Sequence, residues 1–199
     1  MPTPPARPNP TPDALHAPWR MSYIDMLSAA DRTPVRDTPR PPEGACFLRR
    51  YWLTPDDDRA NRVIVRTGNE STGRGGLIML NAYPYANGHL LVCLGTSRMR
   101  LLEYTPDERA ELWSLVDLAV ELCERALSPQ GVNVGLNQGE AAGAGVPEHL
   151  HVHVVPRWSG DVNFITTVGA VRVIPSAMED MQRRYEEAWL ALRTERGLA

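Results

Sequence analysis

Hydrophobic and polar positions follow two rhythms along the chain. From about residue 45, short apolar runs bounded by turn-formers predict strands. Val63-Ile64-Val65 and Gly76-Leu77-Ile78-Met79-Leu80 flank the turn-rich stretch from Thr67 to Gly73, so they read as neighbouring strands of a meander. Further strands are predicted from His89 to Leu94, after Asn87-Gly88, from Val132 to Leu136, and from Val162 to Val168. Between them the period lengthens to that of a helix. Leu112, Leu115, Val116, Ala119, Leu122 and Ala126 form one stripe, with Thr105, Pro106 and Glu108 as cap, first residue and capping box, and Pro129-Gln130-Gly131 as the stop. That helix should end near Leu127. Ser176-Ala177-Met178-Glu179 opens a last helix with Met181, Tyr185, Ala188 and Leu192 turned inward. Strands, helix, strands, helix imply an α+β domain: an antiparallel sheet of about five strands with two main helices over one face.

The first 44 residues have a different texture. Eleven of the eighteen prolines fall in the first 42 positions, which excludes long helices and central strands and predicts an extended arm ahead of a domain spanning 45–199. His16-Ala17-Pro18-Trp19-Arg20 and Tyr23-Ile24 are apolar enough to anchor it on the domain or on a second subunit. A content of 43% hydrophobic and 23% charged residues is that of a globular protein, and a net charge of −3 argues against a general nucleic-acid binder. Neither a signal peptide nor a membrane span is legible, and Cys46, Cys93 and Cys123 have no framework spacing. Buried, reduced thiols in a cytoplasmic protein are the expectation.

The candidate chemistry lies in Glu148-His149-Leu150-His151-Val152-His153-Val154-Val155. On a strand the three histidines share one face and the apolar residues the other. An exposed strand face normally carries Thr, Lys or Glu instead. A metal is one reading, but residues two apart on a strand start roughly 7 Å apart and four apart roughly 13 Å, while each zinc ligand nitrogen must lie near 2 Å. Two of the three can share an ion, and a third ligand would come from His89, Cys46 or Glu148. The other reading is phosphate chemistry: a neutral imidazole attacks phosphorus, and its neighbours donate hydrogen bonds to phosphate oxygens or to the leaving group.

These residues resemble the histidine triad of the HIT superfamily. The resemblance covers about residues 45–195, with the stretch from Leu80-Asn81 to Gly88-His89 similar to the family's nucleoside-side strand and turn, and Gly135-Leu136-Asn137-Gln138-Gly139 similar to the approach to its phosphate loop. Val155-Pro156-Arg157-Trp158 through Phe164 is similar to the branch of bacterial diadenosine tetraphosphate phosphorylases. The resemblance implies a HIT-like fold that dimerises, and a nucleotidyl hydrolase or transferase that cleaves dinucleoside polyphosphates at the α-phosphate. It assigns the nucleophile to His151, with His153 on the phosphate and leaving oxygen and His149 ordering the triad. Water as second acceptor gives a hydrolase, and inorganic phosphate gives a phosphorylase releasing ADP.

The same resemblance places Asn81 on the ribose hydroxyls and Asn137 on phosphate oxygens. Gly143 and Gly145 belong to a glycine-rich loop able to present N–H groups to phosphate. His89 either supports the triad or is a satisfied structural histidine; Arg157 is either a phosphate partner or a solvated strand end; Trp158 either stacks near substrate or packs at a subunit contact. Some relatives carry a Cys-x-x-Cys zinc site, but here the stretch is Cys46-Phe47-Leu48-Arg49, so no resident metal is expected. No cofactor is required beyond a divalent cation accompanying the polyphosphate. Gly145 and Val146 stand where several relatives have Gln or Ser. A nucleoside phosphoramidate hydrolase, a nucleotide-binding sensor with little turnover and a metal-binding module remain the alternatives.

Overall fold

A computed structural model describes residues 46–161 and 174–198. The arm and the strand expected at 162–168 lie outside the described residues. Helix α1 (Phe47–Leu53) comes first, followed by strands β1 (Val63–Asn69), β2 (Arg74–Leu80) and β3 (Leu90–Leu94). Helix α2 (Pro106–Leu127), strands β4 (Gly131–Leu136) and β5 (Val152–Arg157), and helix α3 (Met178–Arg196) complete the order. The five strands form one antiparallel sheet ordered β1-β2-β3-β5-β4, so the histidine strand lies between β3 and β4.

The long helix forms as its caps dictate. The Thr105 hydroxyl accepts from the Glu108 N–H at 3.2 Å, and the Glu108 carboxylate accepts from the Thr105 N–H at 2.7 Å. Its stripe of Leu112, Leu115, Val116, Ala119 and Leu122 is buried, with Cys123 completing the set and Ala126 at its edge. These residues meet Ile78 and Leu80 of β2, Leu90, Val92 and Leu94 of β3, Val152 and Val154 of β5, and Met181, Tyr185 and Leu192 of α3. That is the main core. At roughly 1.5–3 kcal/mol for each fully buried large aliphatic or aromatic side chain, it dominates the stability.

Two features depart from the sequence reading. Helix α1 was not predicted: it has seven residues, and its N-cap is the unusual Cys46, whose sulfur accepts from the Arg49 N–H at 3.5 Å. It covers the opposite sheet face, where Leu48 and Trp52 pack on Val63, Leu77, Met79, Leu91 and Cys93. Both faces of the β1-β2-β3 half are therefore packed, and among the described residues no helix covers the histidine side at β5 and β4. The second departure is at α3, whose N-cap is Ala177 with no side-chain cap. The Ser176 hydroxyl instead accepts from the Asn87 amide at 3.2 Å.

Candidate active site

The regular strand begins only at Val152, so His149 and His151 lie in the segment feeding β5 while His153 lies within it. That segment is pinned by backbone geometry. The Leu150 N–H donates to the Arg98 carbonyl at 2.8 Å, and the Ser97 hydroxyl to the Glu148 carbonyl at 2.7 Å. His149 has no exposed surface, His151 is 4% exposed, and His153 is half-buried.

Hydrogen-bond partners fix where the imidazole protons sit. His149 Nε2 lies 2.9 Å from the Leu94 carbonyl oxygen, which can only accept, so Nε2 carries the proton. Its Nδ1 then accepts from the Cys46 thiol at 3.2 Å, and burial pushes that thiol's pKa up, which keeps it a donor. His151 Nδ1 lies 2.9 Å from the His149 carbonyl oxygen, so it donates there and leaves Nε2 with a bare lone pair.

For His153 the logic reverses. The Tyr85 backbone N–H donates to His89 Nδ1 at 3.0 Å, and the Asn81 amide nitrogen lies 3.2 Å from the same atom. The proton of His89 is therefore on Nε2, which donates to His153 Nδ1 at 3.0 Å. The proton of neutral His153 is then on its own Nε2. The Asn81 carbonyl oxygen accepts from the Tyr83 N–H at 2.9 Å, which sets the amide's orientation. Rings of His151 and His153 meet edge to face with centroids 5.0 Å apart, and Tyr85 stacks on His153 at 5.4 Å.

Burial shapes the electrostatics. Desolvation lowers the pKa of His149 to about 4, against the opposing hydrogen bond to Leu94. Desolvation also lowers that of His151, opposed by the His149 carbonyl and the Glu148 charge. Both rings are thus neutral at pH 7. Beside His153, the facing residue of β4 is Gly135. A Cβ built there would meet no atom of the described residues within 4 Å, so the sheet leaves space next to the half-buried imidazole.

The other candidates are distributed unevenly. Asn81 and His89 join the triad, with both side-chain groups of Asn81 used inside the network. Asn137 donates to the Gly143 carbonyl at 3.4 Å, tying the start of the glycine-rich loop to its far side. Within that loop the Gly143 N–H donates to the Glu140 carbonyl at 2.8 Å, and Gly145 is half-buried nearby. Arg157 sits at the far end of β5, held by both oxygens of Asp161 at 2.6 and 2.9 Å and by Asn133 at 3.0 Å. Trp158 is half-buried in the turn that follows.

Sequence reasoning missed three contributors. Cys46 reads as a core thiol and is one, yet it also orients His149. Tyr85 carries only the signal of its closeness to His89 in the chain, and the Leu94 carbonyl carries none. At the Cys46-Phe47-Leu48-Arg49 stretch Cys46 is hydrogen-bonded to the His149 imidazole, while Arg49 supplies no metal donor and turns its guanidinium to Glu70 and the Gly95 carbonyl. Among the described residues no group of three His, Cys, Asp or Glu side chains is gathered to hold an ion, and no helix is long and apolar enough to cross a membrane.

Known proteins resemble this chain in sequence and in fold. The HIT domain model matches residues 74–160, from β2 through the histidine run. The chain is 45% identical over 176 residues to AP-4-A phosphorylase of Mycobacterium tuberculosis, covering 88% of this chain and 83% of that protein. Among solved structures, a zinc-bound histidine triad family protein from Mycobacterium smegmatis superposes with TM-score 0.57 at 25% identity, over 76% of this chain and 97% of that one. A histidine triad nucleotide-binding protein from Sulfolobus tokodaii shares the fold, with TM-score 0.55 at 24% identity, over 72% of this chain and 93% of that one. With likeness extending over most of both chains and three histidines at alternate positions leading into and entering β5, this chain belongs to the HIT, or histidine triad, family.

Proposed function

We propose that the protein is a nucleotidyltransferase that cleaves dinucleoside polyphosphates at the α-phosphate, with inorganic phosphate as the acceptor. The observation that carries this reading is the pair of opposite tautomers: a bare Nε2 on His151 beside a proton-bearing Nε2 on His153. In the first half-reaction His151 Nε2 attacks the α-phosphorus. A P–N bond forms, the P–O bond to the bridging oxygen breaks, and the electron pair leaves with the remaining polyphosphate, whose oxygen takes the proton or hydrogen bond of His153. The resulting imidazolium keeps its Nδ1–H on the His149 carbonyl. In the second, a phosphate oxygen attacks the same phosphorus and the P–N electron pair returns to Nε2. The product is a nucleoside diphosphate.

Phosphate rather than water is favoured by the likeness to the mycobacterial protein named AP-4-A phosphorylase, which extends over most of both chains. Asn137 and the Gly139–Gly145 loop are assigned to the polyphosphate, Asn81 to the ribose side through its turn, and Arg157 to long-range charge at most. A divalent cation enters only with the substrate. The three buried free thiols support a reducing, cytoplasmic setting. Strand β4, last in the sheet among the described residues, with Val134 42% exposed, supports a homodimer joined at this edge.

The test is incubation with diadenosine tetraphosphate with and without inorganic phosphate. ADP plus ATP formed only with phosphate is the expected result. AMP plus ATP at the same rate in either buffer would make it a hydrolase, and no turnover of either kind would remove the reading.

A further inference from the structure

Tyr185 lies on the helix α3, remote in sequence from every histidine, yet it reaches the turn that presents His89. It is fully buried, and its hydroxyl donates to the Gly88 carbonyl at 2.7 Å. Gly88 has no freedom of its own: its φ is +74°, and a Cβ there would lie 2.3 Å from Leu127 and 3.2 Å from the Tyr185 hydroxyl. The neighbouring residue is tied to the same C-terminal segment, since the Asn87 amide donates to Ser176 at 3.2 Å. Two separate hydrogen bonds therefore clamp Asn87-Gly88 immediately before His89. Burial raises the Tyr185 pKa far above the ordinary tyrosine range, so the hydroxyl stays a donor.

We infer that Tyr185 is a positioning residue for catalysis: through Gly88 it holds His89 in line with His153, and so keeps the proton of His153 directed at the leaving group. This rests on the functional reading above. Without the hydroxyl, the Gly88 carbonyl loses its buried donor and the turn relaxes, which loosens a 3.0 Å imidazole pair whose alignment decides which nitrogen of His153 is protonated. The nucleophile is untouched, because His151 is oriented by the His149 carbonyl on the other side of the site.

The consequence is a selective loss. Proton donation matters most for a leaving group of high pKa. Aryl esters of 5′-AMP vary that pKa with little change elsewhere, so Tyr185→Phe is assayed on the 4-nitrophenyl and 4-methylphenyl esters with saturating inorganic phosphate as acceptor. The expected result is a kcat loss of about tenfold on the methylphenyl ester and about twofold or less on the nitrophenyl ester, with KM within about twofold for both. An equal loss on the two esters, or none, overturns the inference, because a merely structural defect lowers both alike.

A second readout needs no turnover. Nitrogen-15 spectra of the His89 and His153 side chains report their tautomers, and the wild-type protein is expected to show protonated Nε2 on both. Tyr185→Phe, or Ser176→Ala should the first variant fail to fold, is expected to mix the tautomers of His153 and leave His151 unchanged. Unmixed signals would overturn the inference. If the wild-type protein turns over neither ester, the functional reading fails by itself while the spectra still decide the positioning.

Discussion

His89 donates its Nε2 proton to His153 Nδ1 across 3.0 Å, and this one bond separates the chemical character of two neighbouring triad histidines. His151 offers a lone pair because a carbonyl holds its proton, and His153 offers a proton because another imidazole has filled its acceptor. The resting site is thus divided into a nucleophilic and a donating half before any substrate arrives.

Replacing His89 by Ala is expected to lower kcat by about 10- to 100-fold with a small change in KM, because the donor is misaligned while the nucleophile stays in place. Steady-state kinetics on diadenosine tetraphosphate check this. A change confined to KM would instead assign His89 to substrate binding.

Gly135→Leu tests the space beside His153. The position has no positive φ and meets no atom of the described residues, so thermal stability is expected to hold within a few degrees. The added bulk projects onto the histidine face and should raise KM or block binding. Unaltered kinetics would show that substrate approaches elsewhere.

Acid should affect stability and activity in separate ways. His149 has a folded pKa of about 4 against about 6.5 unfolded, so between these values the unfolded chain binds the extra proton. Its contribution is complete above about pH 6.5 and is lost progressively toward pH 4, by up to about 3 kcal/mol. Urea titrations of the wild type against His149→Asn across this window read that loss. Because the pKa of His151 is also lowered, the acid limb of kcat/KM is expected below the ordinary imidazole value of about 6.5, and a limb above it would contradict a buried neutral nucleophile.

Cys46→Ala removes the thiol from His149 Nδ1 and leaves a buried acceptor unpaired. Denaturant unfolding is expected to show a loss of about 1–3 kcal/mol. Cys46→Ser, which restores a donor, should recover part of it. Chelation by EDTA is expected to leave turnover of the aryl adenylates unchanged, since these phosphodiesters lack the polyphosphate with which a cation would enter.

Val134→Lys places a charge on the exposed edge strand. Sedimentation is expected to show the wild type as a dimer and the variant as a monomer. A monomeric wild type would remove the edge-paired assembly.

Much of this was legible in the sequence because its signals are local. The capping box at Thr105 and the helical stripe on α2 each report a cap or a period over a few residues and form as read, while the alternation around His151 becomes regular strand only from Val152. Three histidines in five positions also announce chemistry before any fold is known. What was not legible depends on distant partners. Helix α1 is too short for a period and starts on a cysteine, Ser176 gave its hydroxyl to Asn87 instead of its own helix, and nothing near Tyr185 in the chain points to Gly88. The proton on His149 is likewise decided by Leu94 and Cys46, and that on His153 by His89, partners that only the folded chain brings within reach.

The central claim is that His151 Nε2 bonds transiently to phosphorus. Rapid acid-free denaturation of the protein after mixing with diadenosine tetraphosphate without phosphate, where the first half-reaction runs and the second cannot, followed by peptide mass spectrometry, tests it directly. The account predicts an added AMP on the peptide containing His151, absent in His151→Ala and lost on adding inorganic phosphate as ADP appears. Turnover with no adduct at any time, or full activity in His151→Ala, would contradict it.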